Sequence, residues 1–312
     1  MSDDTETILV GDVGGTRTRL ALAAWKDGAP GITALEESPT TPDIAAKVAR
    51  FVRGRNVKAA AFGAAGPVFA DGTIRLTNAG VVLVAAELAL AAGVQGAVLV
   101  NDFRAIAESI PLLPPGSLQA CGGGPAVAGE AVVVIGAGTG LGTAIGAQAP
   151  AGWHVIQGDG GHGDLAPVDD EELEAWQRLR RAHGRVSAET VLSGPGLERL
   201  YAAISGKFLG AADIDAAAWR GEPEAVQAHA LFTRWLGRVA GNLALVAGAR
   251  GGVYLAGGIL PRWSARFDVA AFRRAFEDKG QYAEWLRAIP CFLITHPHPG
   301  LLGLAVLASA RR

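Results

Sequence analysis

The sequence predicts an α/β protein of two lobes that together hold one polyphosphate and one metal. Three observations predict it. Residues 8–23 read I-L-V-G-D-V-G-G-T-R-T-R-L-A-L-A, an apolar run, a glycine turn and an alternating strand. Residues 132–146, V-V-V-I-G-A-G-T-G-L-G-T-A-I-G, repeat that plan when Gly14-Gly15-Thr16 is set on Ala137-Gly138-Thr139. The chain has 312 residues, long enough for two domains.

Gly14 and Gly15 let the backbone bend and approach a bound group with no side chain in the way. Successive N–H groups in such a turn form a nest for anions. Asp12 sits at the tip. A carboxylate does not bind phosphate directly, but it can hold a hydrated Mg²⁺ that does. In the second copy Ile135 stands where Asp12 would be, so the two turns share one acid. Neither is a Walker A loop, because no Gly-Lys-Ser/Thr follows. The plain alternative for each turn alone is an ordinary hairpin; the repeat favours a paired site.

Composition narrows the class. Apolar residues make up 50% of the chain and charged residues 19%, so it can build real cores. The 43 glycines are spread along the chain and gather at turns, unlike a low-complexity segment. A net charge of −2 gives no electrostatic case for nucleic acid or an anionic membrane. Residues 1–7 are acidic and polar, unlike a signal peptide, and no apolar run approaches the ~20 residues of a membrane span. The expectation is a soluble cytoplasmic protein. Cys121 and Cys291 lie far apart in sequence, which argues against a disulfide framework or a Cys-rich zinc site.

After the first hairpin a loop is expected over residues 26–31 and a return strand over 32–36. Thr41-Pro42-Asp43 opens a helix with Ile44, Val48, Phe51 and Val52 on one face. Residues 58–63 are a buried strand that ends near Gly66-Pro67, a backbone break of the kind where sites form. Residues 72–78, G-T-I-R-L-T-N, are a short edge element. Residues 87–92 read as a helix and 97–100 as a buried strand running into Asn101-Asp102-Phe103. Helical spacing follows through Ile106 and Ile110 and stops at Pro111. An Asp at such a junction has a plain role as a helix cap. Its place beyond a strand's carboxyl end is also where open α/β sheets bind ligands.

Residues 111–129 are rich in Pro and Gly and mark a domain boundary. Trp153-His154-Val155-Ile156 then leads into G-D-G-G-H-G-D at 158–164. That stretch matches G-x-G-x-x-G formally, but no helix opens after it. A polar ligand site presenting Asp159 and His162 fits better than a dinucleotide site; the plain alternative is a solvated loop. Asp169-Asp170-Glu171-Glu172 begins a helix that closes with Arg178, Arg180 and Arg181, a charge order that suits the helix dipole. Ser187-Ala188-Glu189 precedes the turn Ser193-Gly194-Pro195-Gly196 and a helix from Leu197. Residues 231–249 form the longest helix, with Trp235, Leu236, Val239, Leu243 and Val246 facing inward. Residues 253–256 are a strand running into Gly257-Gly258, a pair able to lie flat against a purine. Residues 291–295 are the last strand. His296-Pro297-His298-Pro299-Gly300 reads as a rigid turn before a closing helix rather than as a metal site.

This order of motifs resembles the bacterial glucokinase family, of the hexokinase-like, actin-like ATPase superfamily. The resemblance covers nearly the whole chain. It rests on G-D-V-G-G-T at 11–16, L-T-N at 76–78, N-D-F at 101–103, G-A-G-T-G-L-G at 136–142 and G-D-G-G-H at 158–162. S-A-E-T-V-L-S-G-P-G-L at 187–197, G-G-V-Y-L-A-G-G-I-L-P-R at 251–262, R-A-F-E-D-K-G at 274–280 and H-P-G-L-L-G at 298–303 complete it. Related sugar kinases with a cysteine-rich zinc loop do not fit two distant cysteines.

The resemblance implies an actin-like (ribonuclease H-like) fold whose lobes close over ATP and a hexose. It implies a small α/β domain of residues 1–110 with 295–312, a large one of 111–294, and a homodimer. Carried over by position, Asp102 is the general base. Asn101, Asp102, Asp159, His162 and Glu189 hold the sugar. Gly11, Asp12, Val13, Gly14, Gly15, Thr16, Gly138 and Thr139 hold phosphates, with Gly257 and Gly258 near the adenosine and Asp12 on Mg²⁺ through water. The implied activity is ATP-dependent phosphorylation of glucose to glucose 6-phosphate, a step of glycolysis. Two departures stand beside the sugar. The family usually has Glu where this chain has Asp159, and tends to have Trp shortly after Leu-Thr-Asn, where Ala79-Gly80-Val81-Val82 follows here. They leave two alternatives, a kinase for another hexose and a non-catalytic sugar-binding regulator of the same fold.

Overall fold

β1 (Thr7–Val13) and β2 (Arg17–Lys26) form the first glycine-turn hairpin, and β3 (Ala29–Pro39) extends it. The computed structural model describes residues 7–76 and 80–310. Thr77, Asn78 and Ala79, which carry most of the L-T-N motif and the expected tryptophan neighbourhood, lie outside the described residues. The chain divides into two units: Met1–Ser117 with Trp153–Gln157 and His296–Arg312, and Leu118–Gly152 with Gly158–Thr295.

In the first unit follow α1 (Ile44–Phe51), β4 (Val57–Ala64), β5 (Thr73–Leu76), β6 (Val81–Val84), α2 (Ala85–Ala92), β7 (Ala97–Asn101) and α3 (Asp102–Ser109). The sheet order is β3-β2-β1-β4-β7, with β4 and β7 parallel to β1. Every residue of β7 is buried, as a parallel strand covered on both faces requires. The β2–β3 link is tighter than the loop expected over 26–31. Asp27 and Gly28 take φ of 52° and 81°, a two-residue turn whose twist matches its strands.

The second unit holds β8 (Leu118–Ala120), β9 (Val132–Ala137), β10 (Leu141–Ala149) and the ends of β11 (Gly152–Gly158). Its helices are α4 (Asp170–His183), α5 (Ala188–Val191), α6 (Gly194–Ser205), α7 (Ala211–Trp219) and α8 (Pro223–Ala247). Then come β12 (Gly252–Ala256), α9 (Ile259–Trp263), α10 (Val269–Glu277), α11 (Ala283–Ala288) and β13 (Cys291–Ile294). β12 runs parallel to β9 on one side and β13 on the other, and β8 closes antiparallel on β13. α12 (Pro299–Ser309) returns to the first unit. Among the described residues no helix is long and apolar enough to cross a membrane.

Three expectations change. α8 starts at Pro223, eight positions before Leu231, with proline at its first turn, where no N–H is needed. Val246, expected inward, is 81% exposed. A helix drifts about 20° per heptad, and Val239 already lies at the edge of the buried stripe, so the next heptad position leaves it. Residues 153–157, expected with the larger domain, group with the first unit, where the Trp153 indole donates to the Ala107 carbonyl of α3 at 3.1 Å.

Alternation in β1 builds two cores. Ile8 and Val10 face Ala105 of α3 and Leu301, Leu304 and Ala305 of α12, while Leu9 and Val13 face Ile44, Phe51, Phe62 and Leu88. α3 and α12 meet backbone to backbone. A Cβ on Gly303 would lie 1.7 Å from the Ala105 carbonyl oxygen. In the second unit Cys121 and Cys291, distant in sequence, are neighbours. The Cys121 N–H donates to the Cys291 carbonyl at 2.7 Å, and both thiols are free and fully buried.

Candidate active site

The first turn is held from inside. Val13 pairs with Thr18 and Asp12 with Arg19, leaving residues 14–17 as the turn. The Gly14 N–H donates to the Arg17 carbonyl at 2.9 Å. Thr40, just past β3, fixes the turn from below. Its N–H donates to the Thr16 carbonyl at 2.9 Å, and its hydroxyl to the Gly14 carbonyl at 2.7 Å. Gly11 has a structural reason of its own: a Cβ there would lie 2.4 Å from the Phe62 ring.

Asp12 faces Arg19, whose guanidinium donates to it at 3.2 Å and to Glu37 at 2.8 Å. Glu37 also accepts from Arg17, and these two arginines hold its carboxyl below the usual range. Desolvation by the surrounding protein raises the Asp12 carboxyl, with Arg19 opposing. Its side chain keeps 30% of its surface exposed. A single carboxylate, partly exposed and with one oxygen clear of the Arg19 contact, leaves room for a metal that keeps most of its waters, as Mg²⁺ does, with Arg19 as a competing charge. The Asp12 side thus fits Mg²⁺ held through water. His298, at the start of α12, is held below the ordinary histidine range by burial and by Arg19. Its N–H donates to the His296 ring at 3.1 Å, so the two histidines knit the turn together.

At the end of β7 the helix cap is Asn101, not Asp102. Its side-chain oxygen accepts from the N–H groups of Phe103 at 2.9 Å and Arg104 at 3.3 Å. Its amide donates to the Gly66 carbonyl at 3.3 Å, made available by a φ of 114° at Gly66. Asp102 is the first residue of α3, and its carboxylate also accepts from the Phe103 N–H at 2.9 Å. The helix end therefore keeps its cap whether or not Asp102 is charged.

In the second unit the structure brings four expected pieces together. The β9–β10 turn covers residues 138–140, one residue shorter than its counterpart at 14–17. The Gly138 carbonyl accepts from the Gly194 N–H at 2.7 Å. Glu189 places Oε2 on the Leu141 N–H at 2.9 Å, and a Cβ on Gly140 would strike that oxygen. Thr143 pins the 158–163 loop: its hydroxyl donates to the Gly158 carbonyl at 3.1 Å and accepts from the Gly160 N–H at 2.9 Å. Gly161 lies so close to Leu141 that only glycine fits, and the Ala188 N–H donates to the Gly163 carbonyl at 2.8 Å. Asp159 and His162 are exposed on this pinned loop. Gly257 takes φ of 85°, and a Cβ on it would lie 2.3 Å from the Ala137 carbonyl oxygen. Gly138, beside Ala137, and Gly258 have open space where a side chain would stand. Thr139 stands in the same turn as Gly138.

Sequence reasoning missed Thr40, Thr143 and Arg19. Only Arg19 had a signal, because a hairpin closed at 14–17 puts it directly across from Asp12. Two α/β units, each on a glycine-turn hairpin, form the actin-like ATPase fold. The glucokinase family model matches residues 9–311. A glucokinase of Paramagnetospirillum magneticum is 40% identical, with 98% of each chain covered. One of Tolumonas auensis is 39% identical over 96% of this chain and 95% of its own. A solved glucokinase from an Antarctic psychrotroph is 32% identical, superposes with a TM-score of 0.85, and is covered over 99% of its length by 98% of this chain. Matches of this length, carried by a common fold and by relatives of one description, place the chain in the glucokinase family.

Proposed function

We propose that the chain transfers the γ-phosphoryl of ATP to the 6-hydroxyl of glucose, with Asp102 as general base. The observation that carries the assignment of Asp102 is the division of labour at α3: Asn101 caps the helix, so the neighbouring carboxylate is not needed to hold the helix end. Phosphoryl transfer asks for positioning and charge neutralisation more than covalent chemistry. Asp102 accepts the hydroxyl proton as the oxygen attacks, and this needs hydrogen-bond reach in the reacting complex.

Asn101 keeps a second amide N–H for a sugar hydroxyl, since an amide carries two donors. Glu189, with one oxygen on Leu141, offers the other to the sugar. Asp159 and His162 supply the remaining polar contacts. Gly14 and Gly138 each spend their N–H inside their own turn, on the Arg17 and Gly140 carbonyls. This leaves Gly15 and Thr16 in the first turn and Thr139 in the second as phosphate-binding N–H donors, with Gly138 leaving room for the approach. Bound Mg²⁺ supplies neutralising charge on the phosphates, and Asp12 would hold it through its waters. We place this chemistry in the cytoplasm, where ATP is at hand, and in a homodimer on the strength of the family likeness.

An ADP-release assay with ATP over a panel of hexoses tests the reading. Turnover of glucose is expected. Binding of a hexose with no turnover would favour the regulator, and preference for another sugar would favour the alternative kinase. The family resemblance implies lobes that close over the sugar. Saturating glucose is expected to reduce the radius of gyration in small-angle scattering, as ligand-driven domain closure would. An unchanged radius would count against closure.

Asp159 is where sugar choice is tested. A charged hydrogen bond from a carboxylate to a hydroxyl is worth about 1.5–3 kcal/mol. Withdrawing the group by one methylene lengthens such bonds or lets water bridge them. Asp159→Glu is therefore expected to lower the glucose KM with kcat little changed, the pattern of regained uniform binding. A raised KM would show instead a pocket rebuilt around Asp159.

A further inference from the structure

Asp215, on α7, is 3% exposed and lies at the centre of a buried cluster. Its Oδ1 accepts from the Trp263 indole at 2.8 Å and from His229 Nε2, with the ring proton on that nitrogen, at 3.0 Å. Its Oδ2 accepts from Arg262 at 3.4 Å. The His229 and Trp263 rings stack with centroids 4.1 Å apart, and Phe232 meets the indole edge-on at 5.1 Å. One carboxylate thus joins α7, α8 and α9.

α9 spans only Ile259–Trp263, too short to hold itself by its own hydrogen bonds. It directly follows Gly257-Gly258. That segment is fixed at two points. Gly257 presses on the Ala137 backbone beside the second glycine turn, and Trp263 is held by Asp215. Gly258 lies between the two points, with open space at its Cα.

We propose that Asp215 is a positioning residue for the nucleotide: through Trp263 and α9 it sets where the Gly257-Gly258 backbone stands. This rests on the reading of Gly257-Gly258 as the adenosine-side turn. Loss of the carboxylate leaves the Trp263, His229 and Arg262 donors without their acceptor, and the far end of α9 loses its anchor.

The test combines steady-state kinetics with calorimetric binding of Mg·ADP in the absence of sugar. Asp215→Ala is expected to raise the KM for ATP about tenfold and weaken Mg·ADP by a similar factor, with the glucose KM within about twofold. Asp215→Asn keeps an oxygen for Trp263 and His229 and is expected to recover most of the loss. Trp263→Phe keeps the stack, removes the donor, and is expected to raise the KM for ATP several-fold. Equal rises in both KM values, or unchanged Mg·ADP binding by folded Asp215→Ala, would overturn the proposal. Should Asp215→Ala not fold, unchanged KM for ATP in both Asp215→Asn and Trp263→Phe would overturn it. Gly258→Val separates the underlying reading: its added Cβ stands in open space, and unchanged Mg·ADP binding by that variant would place the nucleotide elsewhere.

Discussion

Asp102→Asn is expected to lower kcat by about 10²–10⁴-fold, the range that a positioned general base contributes. The side chain keeps its shape, and the cap on α3 comes from Asn101, so the fold should not change. Sugar binding should stay within about tenfold of the wild type, because base removal acts on the transition state rather than on ground-state binding. Single-turnover rates and a glucose titration by intrinsic fluorescence separate the two effects. A variant that retains a tenth of the wild-type kcat would remove Asp102 as the base.

Gly303→Ala should be among the most damaging changes of a single methyl group in the chain. The added carbon would stand 1.7 Å from the Ala105 carbonyl oxygen and 3.1 Å from the Ser109 nitrogen, both on α3. Backbone cannot rotate away as a side chain can, so α12 has to move off α3. Overpacking costs typically 1–3 kcal/mol and sometimes more, and a backbone clash belongs at about 3 kcal/mol or above. For a unit of this size that lowers the melting temperature by roughly 6–12 °C. Because α3 begins with Asp102, kcat should fall as well. Thermal melts followed by fluorescence, with activity measured at low temperature, test both. A variant that melts with the wild type would mean that α3 and α12 are not held together in this way.

The sequence made the frame of this molecule legible where periodicity and glycine turns coincide. The β1 and β9 hairpins, β4, β7 and α3 were readable because an apolar strand meets a turn or a cap within a few residues. β6, β8, α7 and α9 to α11 were not, because short or alanine-rich segments carry no period of their own and are settled by tertiary contacts. At the candidate site the residue types were legible and their partners were not. Asn101-Asp102 stood out as a pair, yet which of the two caps α3 depends on a hydrogen bond seen only in three dimensions. Glu189 was expected to face a ligand, and its bond to Leu141 joins positions 48 apart in the chain. Thr40 and Thr143 have no sequence signature at all. A threonine that pins a loop looks like any other threonine until the loop is seen to fold over it.

Cys121 and Cys291 bear on how this protein ages in a cell. Burial pushes the Cys291 thiol up to about 12, and Cys121 is raised for the same reason. The thiolate is the species that peroxides and electrophiles attack. Burial keeps Cys291 in the thiol form at neutral pH despite the Arg273 guanidinium beside it, and its sulfur is out of reach of solvent. In the folded protein both sulfurs are therefore poor targets for oxidants. Oxidative damage at these two sulfurs becomes a mark of molecules that have already come apart.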